Sequence, residues 1–515
     1  QQAQGLADPF MLIIEAPTGC GKTEIALSIA DLAIRRGGVR GCSIAMPTQA
    51  TSNQMFGRVC TFLSRCYPRQ ERINVQLAHG NALLNEEFQQ IRLASVEDLE
   101  GAGEGTVSAM EWFLPRKRTL LAPFGVGTVD QAFMSVLRAR HAFLRLFGLH
   151  RKVVIFDEVH AYDTYMQRIF TRLLAWLRAV GSSVILLSAT LPDQTRRELL
   201  YAFQPEIEID TISAAYPRLS INSGNRVNTV SLGAYPDRAV QLKPVAYQPS
   251  AWLEPLRSAL AEGGCAAIIC STVDRAQQVF LEVQAAGLVE PGQLHLLHAR
   301  MPFCWRQEKE KAILSQFGKR VDPGSERMRR GIVVATQIIE QSLDLDFDLM
   351  ISDLAPVDLL IQRLGRLHRH SDQLYAPLRP SRLSQPTCWV CQPESPDAAG
   401  LPMFGTDAYV YEPAILQRTF FALQTLEELR LPSMSDELIN QVYSENPLPA
   451  CSAAQNELLK DALRSMNQKH DKHVEKAENR LIVDVDRENA AAASDVYLKE
   501  DNQTVGKDAQ ALTRN

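Results

Sequence analysis

Apolar and polar positions along this chain fall into two successive series of blocks. In the first, Ile73–Leu77 alternates apolar and polar residues as a strand, and short apolar runs recur at Met11–Ile14, Ser43–Met46, Val153–Phe156 and Val184–Leu187. Each is too short for a buried helix and ends in small, polar or acidic residues, the pattern of a strand buried on both faces. Residues 24–36, Asn53–Tyr67 and 193–203 lie between or after these runs and carry helical periodicity. A Pro/Gly/Ser-punctuated stretch, Ile212–Pro236, then interrupts the pattern. The second series follows with Cys265–Cys270, Leu294–Leu297, Gly331–Ala335 and Leu349–Asp353. Strands that alternate with helices in this way predict parallel sheets covered on both faces.

Other stretches carry weaker patterns. Residues 81–118 give few signals, and Glu97–Gly105 reads as an exposed acidic loop. Residues 371–412 are Pro-rich and read as irregular, whereas Ala414–Arg430 and 435–444 read as helical. Beyond Ala454 charge is high and aromatics are scarce, which predicts a long helix with a flexible connector. At 515 residues the chain is long for one core. The expected division is a first α/β domain over 1–214, a second over 215–450, and a helical or flexible segment over 451–515.

Composition narrows the function classes. Net charge is −5, so no global basic field points to nucleic acid, and any nucleic-acid groove must be local. Ser135–Lys152 is one candidate, with Arg138, Arg140, Arg145, Arg151 and Lys152; a solvated helix face explains it equally well. The ten cysteines are scattered, several inside apolar strands (Cys42, Cys265, Cys270), as expected for reduced thiols in a cytosolic protein. Cys388 and Cys391 form a lone CxxC with no second ligand pair at zinc spacing nearby. His470-Asp471 lacks the further His and Asp positions a metal nuclease requires. No apolar run reaches the roughly 18 residues of a membrane span, and no signal peptide precedes the first strand. The chain opens without an initiator Met shortly before a core strand, and the expectation is a piece of something longer.

The chemistry concentrates where apolar runs end. Met11–Ile14 runs into Glu15-Ala-Pro-Thr-Gly-Cys-Gly-Lys-Thr23 and then into a helical pattern, the strand–loop–helix context of a phosphate-binding loop. Backbone N–H groups of Thr18, Gly19, Cys20 and Gly21, in the turn that Pro17 helps shape and with the helix dipole behind them, suit a polyphosphate. Lys22 would reach the β- and γ-phosphates, and Thr23 would bind Mg²⁺. Ala16 stands where the pattern has its first glycine. Val153–Phe156 ends in Asp157-Glu158, placing a second Mg²⁺ ligand (Asp157) and a water-orienting carboxylate (Glu158) at a strand's C-terminal end. Ser188 and Thr190 close the next strand and could relay nucleotide state, although a turn with an N-cap is the plainer reading. In the second series, Gln362, Arg366 and Arg369 fall at i, i+4 and i+7 and would share one helix face suited to a polyphosphate. That series has no phosphate loop of its own.

Taken in order, these motifs resemble the superfamily 2 helicases, and more closely the helicase core of the CRISPR-associated helicase–nucleases of type I interference systems. The strings that carry the resemblance are EAPTGCGKTE from Glu15, MPTQAT (Met46–Thr51), LAHGN (Leu77–Asn81), GTVDQ (Gly127–Gln131), DEVHAYDTYM (Asp157–Met166), LLSATLP (Leu186–Pro192), VVATQIIEQSLDLDFD (Val333–Asp348) and QRLGRLHRH (Gln362–His370). The resemblance implies two tandem RecA-like α/β domains with a helical C-terminal linker, using ATP and Mg²⁺. It implies that Lys22, Asp157, Glu158, Gln362, Arg366 and Arg369 serve hydrolysis and that Asp344 lies near the ribose or the attacking water. Thr48, Gln49, Thr128, Thr272 and Thr336 match positions that touch a nucleic-acid backbone, and Ser188 and Thr190 match the coupling motif.

The expected function is 3′ to 5′ translocation on single-stranded DNA in a prokaryotic cytoplasm. The expected partners are a Cascade-type surveillance complex and the HD nuclease and C-terminal domains that the family carries and this sequence lacks. The alternatives are a DExH-type RNA helicase and a nucleotide-gated nucleic-acid-binding module.

Overall fold

The computed structural model describes all residues except 1–5, 7–8, 18, 68–72, 81, 83–84, 86–87, 92–106, 109–112, 114–117, 210–215, 234, 320–327, 341–343, 371–378, 394–395 and 486–515. Thr18, Asn81, the acidic loop and the expected boundary at Ala215 therefore lie outside the described residues. The chain divides into two compact units, residues 1–234 with 469–515, and residues 235–468.

The first unit is built on strands β1 (Met11–Glu15), β2 (Cys42–Met46), β3 (Ile73–Ala78), β4 (Val107–Ser108), β5 (Phe124–Thr128), β6 (Val153–Phe156), β7 (Ser183–Ser188), β8 (Arg218–Ser223) and β9 (Arg226–Ser231). Their order in the sheet is β4-β3-β5-β2-β6-β7-β1-β8-β9. All neighbours are parallel from β4 to β1, and β8 and β9 add an antiparallel edge. Alternate residues of one strand enter different apolar clusters: Met11 and Ile13 join one, Leu12 and Ile14 the other. That is the signature of a sheet buried on both faces, and it explains why these strands read as unbroken apolar runs. Gly127 has a steric reason to be glycine, since a Cβ there would fall 2.5 Å from the carbonyl oxygen of Ala78 on the neighbouring β3.

The second unit carries β10 (Arg238–Ala246), β11 (Gly264–Ile269), β12 (Leu294–Leu297), β13 (Arg330–Ala335), β14 (Leu349–Asp353), β15 (Thr387–Gln392) and β16 (Glu428–Leu431). The order is β12-β13-β11-β14-β15-β10-β16, parallel except for the last pair. Both units are therefore mostly parallel α/β sheets with flanking helices, the tandem RecA-like arrangement expected from the sequence.

Several sequence expectations differ from the structure. β8 and β9 extend the first sheet past residue 214, and the first unit runs to residue 234. Their mixed burial hides them from an apolar-run reading. The Pro-rich segment contains β15, paired between β14 and β10. Cys388 enters one apolar cluster and Cys391 the other, so the two thiols face opposite sides of the sheet. The expected helix Ala414–Arg430 stops at Gln424, and Glu428–Leu431 is a strand.

The terminal helix runs from Ala453 to Glu478, and the described residues that follow it, 479–485, pack against the first unit. Leu481 and Ile482 are buried in a core cluster of the first unit. The carbonyls of Arg480 and Leu481 accept from Arg138, and those of Ile482 and Val483 from Arg172 and Trp176.

In the basic stretch 135–152, Arg145 and Lys152 are buried, whereas Arg138, Arg140 and Arg151 are exposed. Besides Arg138, the side chains of Arg145, Arg151 and Lys152 donate to backbone carbonyls, of Arg140, of Gly38, and of Leu120 and Ala122 respectively. Among the described residues no helix is long and apolar enough to cross a membrane.

Candidate nucleotide and nucleic-acid sites

In the first unit the phosphate loop follows β1, and the helix Lys22–Arg35 follows the loop. Gly19 and Gly21 have φ of 89° and 83°, a region that L side chains rarely occupy, which is the physical reason for glycine at both places. Gly21 caps the helix, and its carbonyl accepts from Ile25. The Lys22 ammonium folds back over the loop and donates to the carbonyl of Ala16 at 2.6 Å. Pro17, Cys20 and Thr23 are all partly exposed around it. Burial raises the Cys20 thiol above its ordinary range, which favours the protonated form.

β1 and β6 flank β7, so the loop and Asp157 emerge from the same edge of the sheet. Burial first, and then the charge of Glu158, push the Asp157 carboxyl up to about 7, while the Lys22 charge pulls the other way. Two crowded carboxylates facing a lysine form a hard-oxygen site that a divalent cation would relieve. Glu158 takes the left-handed conformation, φ 52°, and its amide donates to Asp157 Oδ1 at 3.0 Å. Strain of this kind at a non-glycine residue is typical of functional turns.

His160 Nδ1 lies 3.0 Å from Ser188 Oγ, which donates to the carbonyl of Thr190, and His160 Nε2 lies 3.4 Å from Glu158. Ser188 and Thr190 are thus joined to the acidic turn by one imidazole. Glu15 is fully buried, ion-paired to Arg196 at 2.6 Å and to Arg218 at 3.1 Å, and accepts the Leu191 amide at 3.1 Å. It ties the root of the phosphate loop to the SATLP turn. An acid before the loop is visible in the sequence; its two arginine partners are not.

The nucleic-acid candidates also lie at strand ends. Thr48 follows β2 and Thr128 ends β5, on adjacent strands of the first sheet, away from β1. Thr48 Oγ1 accepts from the Thr51 amide as a helix cap, with Gln49 next to it opening the helix Gln49–Cys66. Thr272 follows β11 and caps the next helix through the Arg275 amide. Thr336 follows the neighbouring β13, is buried, and its amide donates to the Leu297 carbonyl.

The arginine motif differs from its sequence reading. The helix runs only from Val357 to Leu364, with Gly365 at its C-cap, and His368 has φ 48°. Arg366 and Arg369 lie past the helix end, so the i, i+4, i+7 face with Gln362 does not exist. Gln362 and Arg366 are buried, and Arg366 Nη2 donates to the Glu340 carbonyl at 2.8 Å. Arg369 ion-pairs with Asp344 at 2.6 Å. Burial would raise Asp344, but the His370 hydrogen bond and the Arg369, His370 and Arg366 charges outweigh it and hold the carboxyl well below its ordinary range. The residue that sequence reasoning passed over is Arg363. It is fully buried, pairs with Glu340 at 2.7 Å, and also donates to Ser352, the Asp353 carbonyl and Tyr411.

Residues 262–372 match the family model described as CRISPR-associated nuclease/helicase Cas3, C-terminal, and residues 7–193 match type III restriction enzyme, res subunit. The CRISPR-associated endonuclease/helicase Cas3 of Thermus thermophilus is 37% identical over 99% of this chain and 59% of its own length. The crystal structure of T. fusca Cas3-ATP superposes with a TM-score of 0.77 at 34% identity, over 93% of this chain and 54% of that one. A chain of a CRISPR RNA-guided surveillance complex, pre-nicking, has a TM-score of 0.69 at 31% identity, over 93% and 52%. The chain spans 47 to 59% of the length of the three curated relatives at 33 to 37% identity.

Proposed function

The chain resembles the helicase core of the CRISPR-associated superfamily 2 helicase–nucleases, and on that premise we propose that it is an ATP-driven motor on single-stranded DNA. The observation that carries this reading is the convergence of Lys22 with Asp157 and Glu158 at one edge of the first sheet. The likeness to T. fusca Cas3-ATP supports ATP as the nucleotide. The amides of Gly19, Cys20 and Gly21 bind the phosphates in the loop that Pro17 and Thr18 belong to, and Lys22 leaves the Ala16 carbonyl to neutralise charge on the γ-phosphoryl group. Thr23 and Asp157 would hold Mg²⁺, which supplies further neutralisation of the triphosphate when bound. Glu158 orients the attacking water. The resemblance adds Gln362, Arg366 and Arg369 as residues that serve hydrolysis, and Asp344 as a residue near the ribose or the attacking water. Thr48, Gln49, Thr128, Thr272 and Thr336 contact the DNA backbone, so sequence preference is slight. His160, Ser188 and Thr190 carry the hydrolysis state toward those contacts.

The resemblance adds 3′ to 5′ movement, which serves unwinding of target DNA for a nuclease domain. The likeness to a chain of a surveillance complex supports Cascade as the partner that recruits it.

The test is ATP hydrolysis with and without single-stranded DNA, and with RNA of the same sequence. DNA stimulates the wild type, and Lys22→Ala and Glu158→Gln each lower the stimulated rate by about 100-fold or more. Preferential stimulation by RNA would turn the assignment to a DExH-type RNA helicase. Binding without turnover would turn it to a nucleotide-gated module.

A further inference from the structure

We propose that Tyr411 is a positioning residue that couples the nucleic-acid edge of the second unit to its arginine motif. This role rests on the functional reading above. Gln337 follows Thr336, and its side-chain amide donates to the Ser271 carbonyl at 2.6 Å and to the Tyr411 hydroxyl oxygen at 3.1 Å. Arg363 donates to the same oxygen at 2.8 Å. Arg363 also binds the Glu340 carboxylate, and the Glu340 backbone carbonyl accepts from Arg366. An unbroken line of hydrogen bonds thus runs from Ser271, beside Thr272, through Gln337, Tyr411, Arg363 and Glu340 to Arg366. Both lone pairs of the phenol oxygen are occupied by donors from opposite ends of this line.

Tyr411 is the one member that lies outside the motif strings and the strand ends, in a segment whose sequence reads as irregular. Its own position is well determined. Its amide donates to the Asp407 carbonyl at 3.0 Å, and the buried Asp407 side chain accepts from Tyr247 at 3.3 Å. The Tyr247 ring in turn lies 3.5 Å from the Arg275 guanidinium, which is paired to Asp353 at the end of β14. A side chain anchored this firmly, and holding one residue from each motif, passes a shift at Gln337 to Arg363 rather than absorbing it. Spatial continuity alone does not demonstrate coupling, so the test measures the coupling itself.

The experiment compares ATP hydrolysis with and without a poly(dT) oligonucleotide in wild type, Tyr411→Phe, Gln337→Leu and the double variant. Oligonucleotide affinity and melting temperature are measured alongside. Tyr411→Phe keeps the ring and removes only the hydroxyl that accepts from Gln337 and Arg363. DNA stimulation falls about five-fold or more, while oligonucleotide affinity stays within about two-fold. Gln337→Leu loses stimulation similarly, and the double variant is no worse than either single one. Gln337→Leu also carries the test by itself should Tyr411→Phe fail to fold: its unchanged stimulation would overturn the role. Stimulation preserved in Tyr411→Phe, or losses that add in the double variant, would overturn it while leaving the functional reading intact. A wild type that DNA does not stimulate would overturn both.

Discussion

Asp157 is a carboxyl whose neighbours favour its neutral form until a cation arrives. Burial and Glu158 raise it to about 7, against an ordinary value near 4 in the unfolded chain. Between those values the folded, nucleotide-free protein binds more protons than the unfolded chain, so this group's contribution to stability falls as pH rises from about 4 to 7. The slope for one proton is at most about 1.4 kcal/mol per pH unit. Asp157→Asn cannot ionise. Without ATP or Mg²⁺ it should melt above the wild type at pH 8, and the difference should shrink as pH falls toward 5. Melting curves across pH check this, and equal slopes for the two proteins would refute it. Glu15 is fully buried and ion-paired with two guanidiniums. Glu15→Gln leaves Arg218 buried without this anion and Arg196 with only Asp193, and should cost about 3–5 kcal/mol in denaturant unfolding.

At the scale of elements, the sequence predicted best where local backbone chemistry decides. The phosphate loop needs positive φ at Gly19 and Gly21, and both-face burial demands an apolar run, so β1, β2, β6 and β7 were legible. β8, β9, β10 and β16 were not, because strands at or next to a sheet edge, with mixed burial, carry no such run. The arginine motif shows a related limit. Helical periodicity continues through QRLGRLHRH in the sequence, yet the helix ends at Leu364, and the following turn is held by Arg238 donating to the carbonyls of Leu364, Leu367 and His368. The stretch beyond Ala454 reads as a long helix with a flexible connector because charge is high and aromatics are scarce, yet two apolar residues follow the helix. Those two, Leu481 and Ile482, are 1% and 3% exposed. Ile482→Ala should destabilise the first unit by about 2–5 kcal/mol in a denaturation experiment, whereas a connector would tolerate it.

For the molecule as a whole, net charge is −5, and the nucleic-acid candidates Thr48, Gln49, Thr128, Thr272 and Thr336 are all uncharged. Hydroxyl and amide contacts release few counterions. The log–log dependence of single-stranded DNA affinity on salt should therefore be no steeper than about −2, since each neutralised phosphate contributes roughly −0.7. A much steeper slope, measured by fluorescence anisotropy, would point to arginine or lysine contacts instead. The two units were both visible in the sequence as separate strand–helix series. Their limits were not, since the first unit takes in both residues 215–234 and the chain's far end.

The sequence by itself determined the two-series α/β plan, the phosphate loop with its lysine, and the acidic pair at the end of β6. Each of these follows from a local requirement: an apolar run, a permissive glycine, a carboxylate at a strand end. Only the tertiary structure decided which buried charges neutralise one another. Glu15 finds Arg218 across 203 residues, and Arg363 finds Tyr411 in a stretch with no motif of its own. The physical reason is that a buried ion or hydroxyl must be satisfied by whatever the fold brings within about 3 Å, and sequence spacing carries no record of that approach.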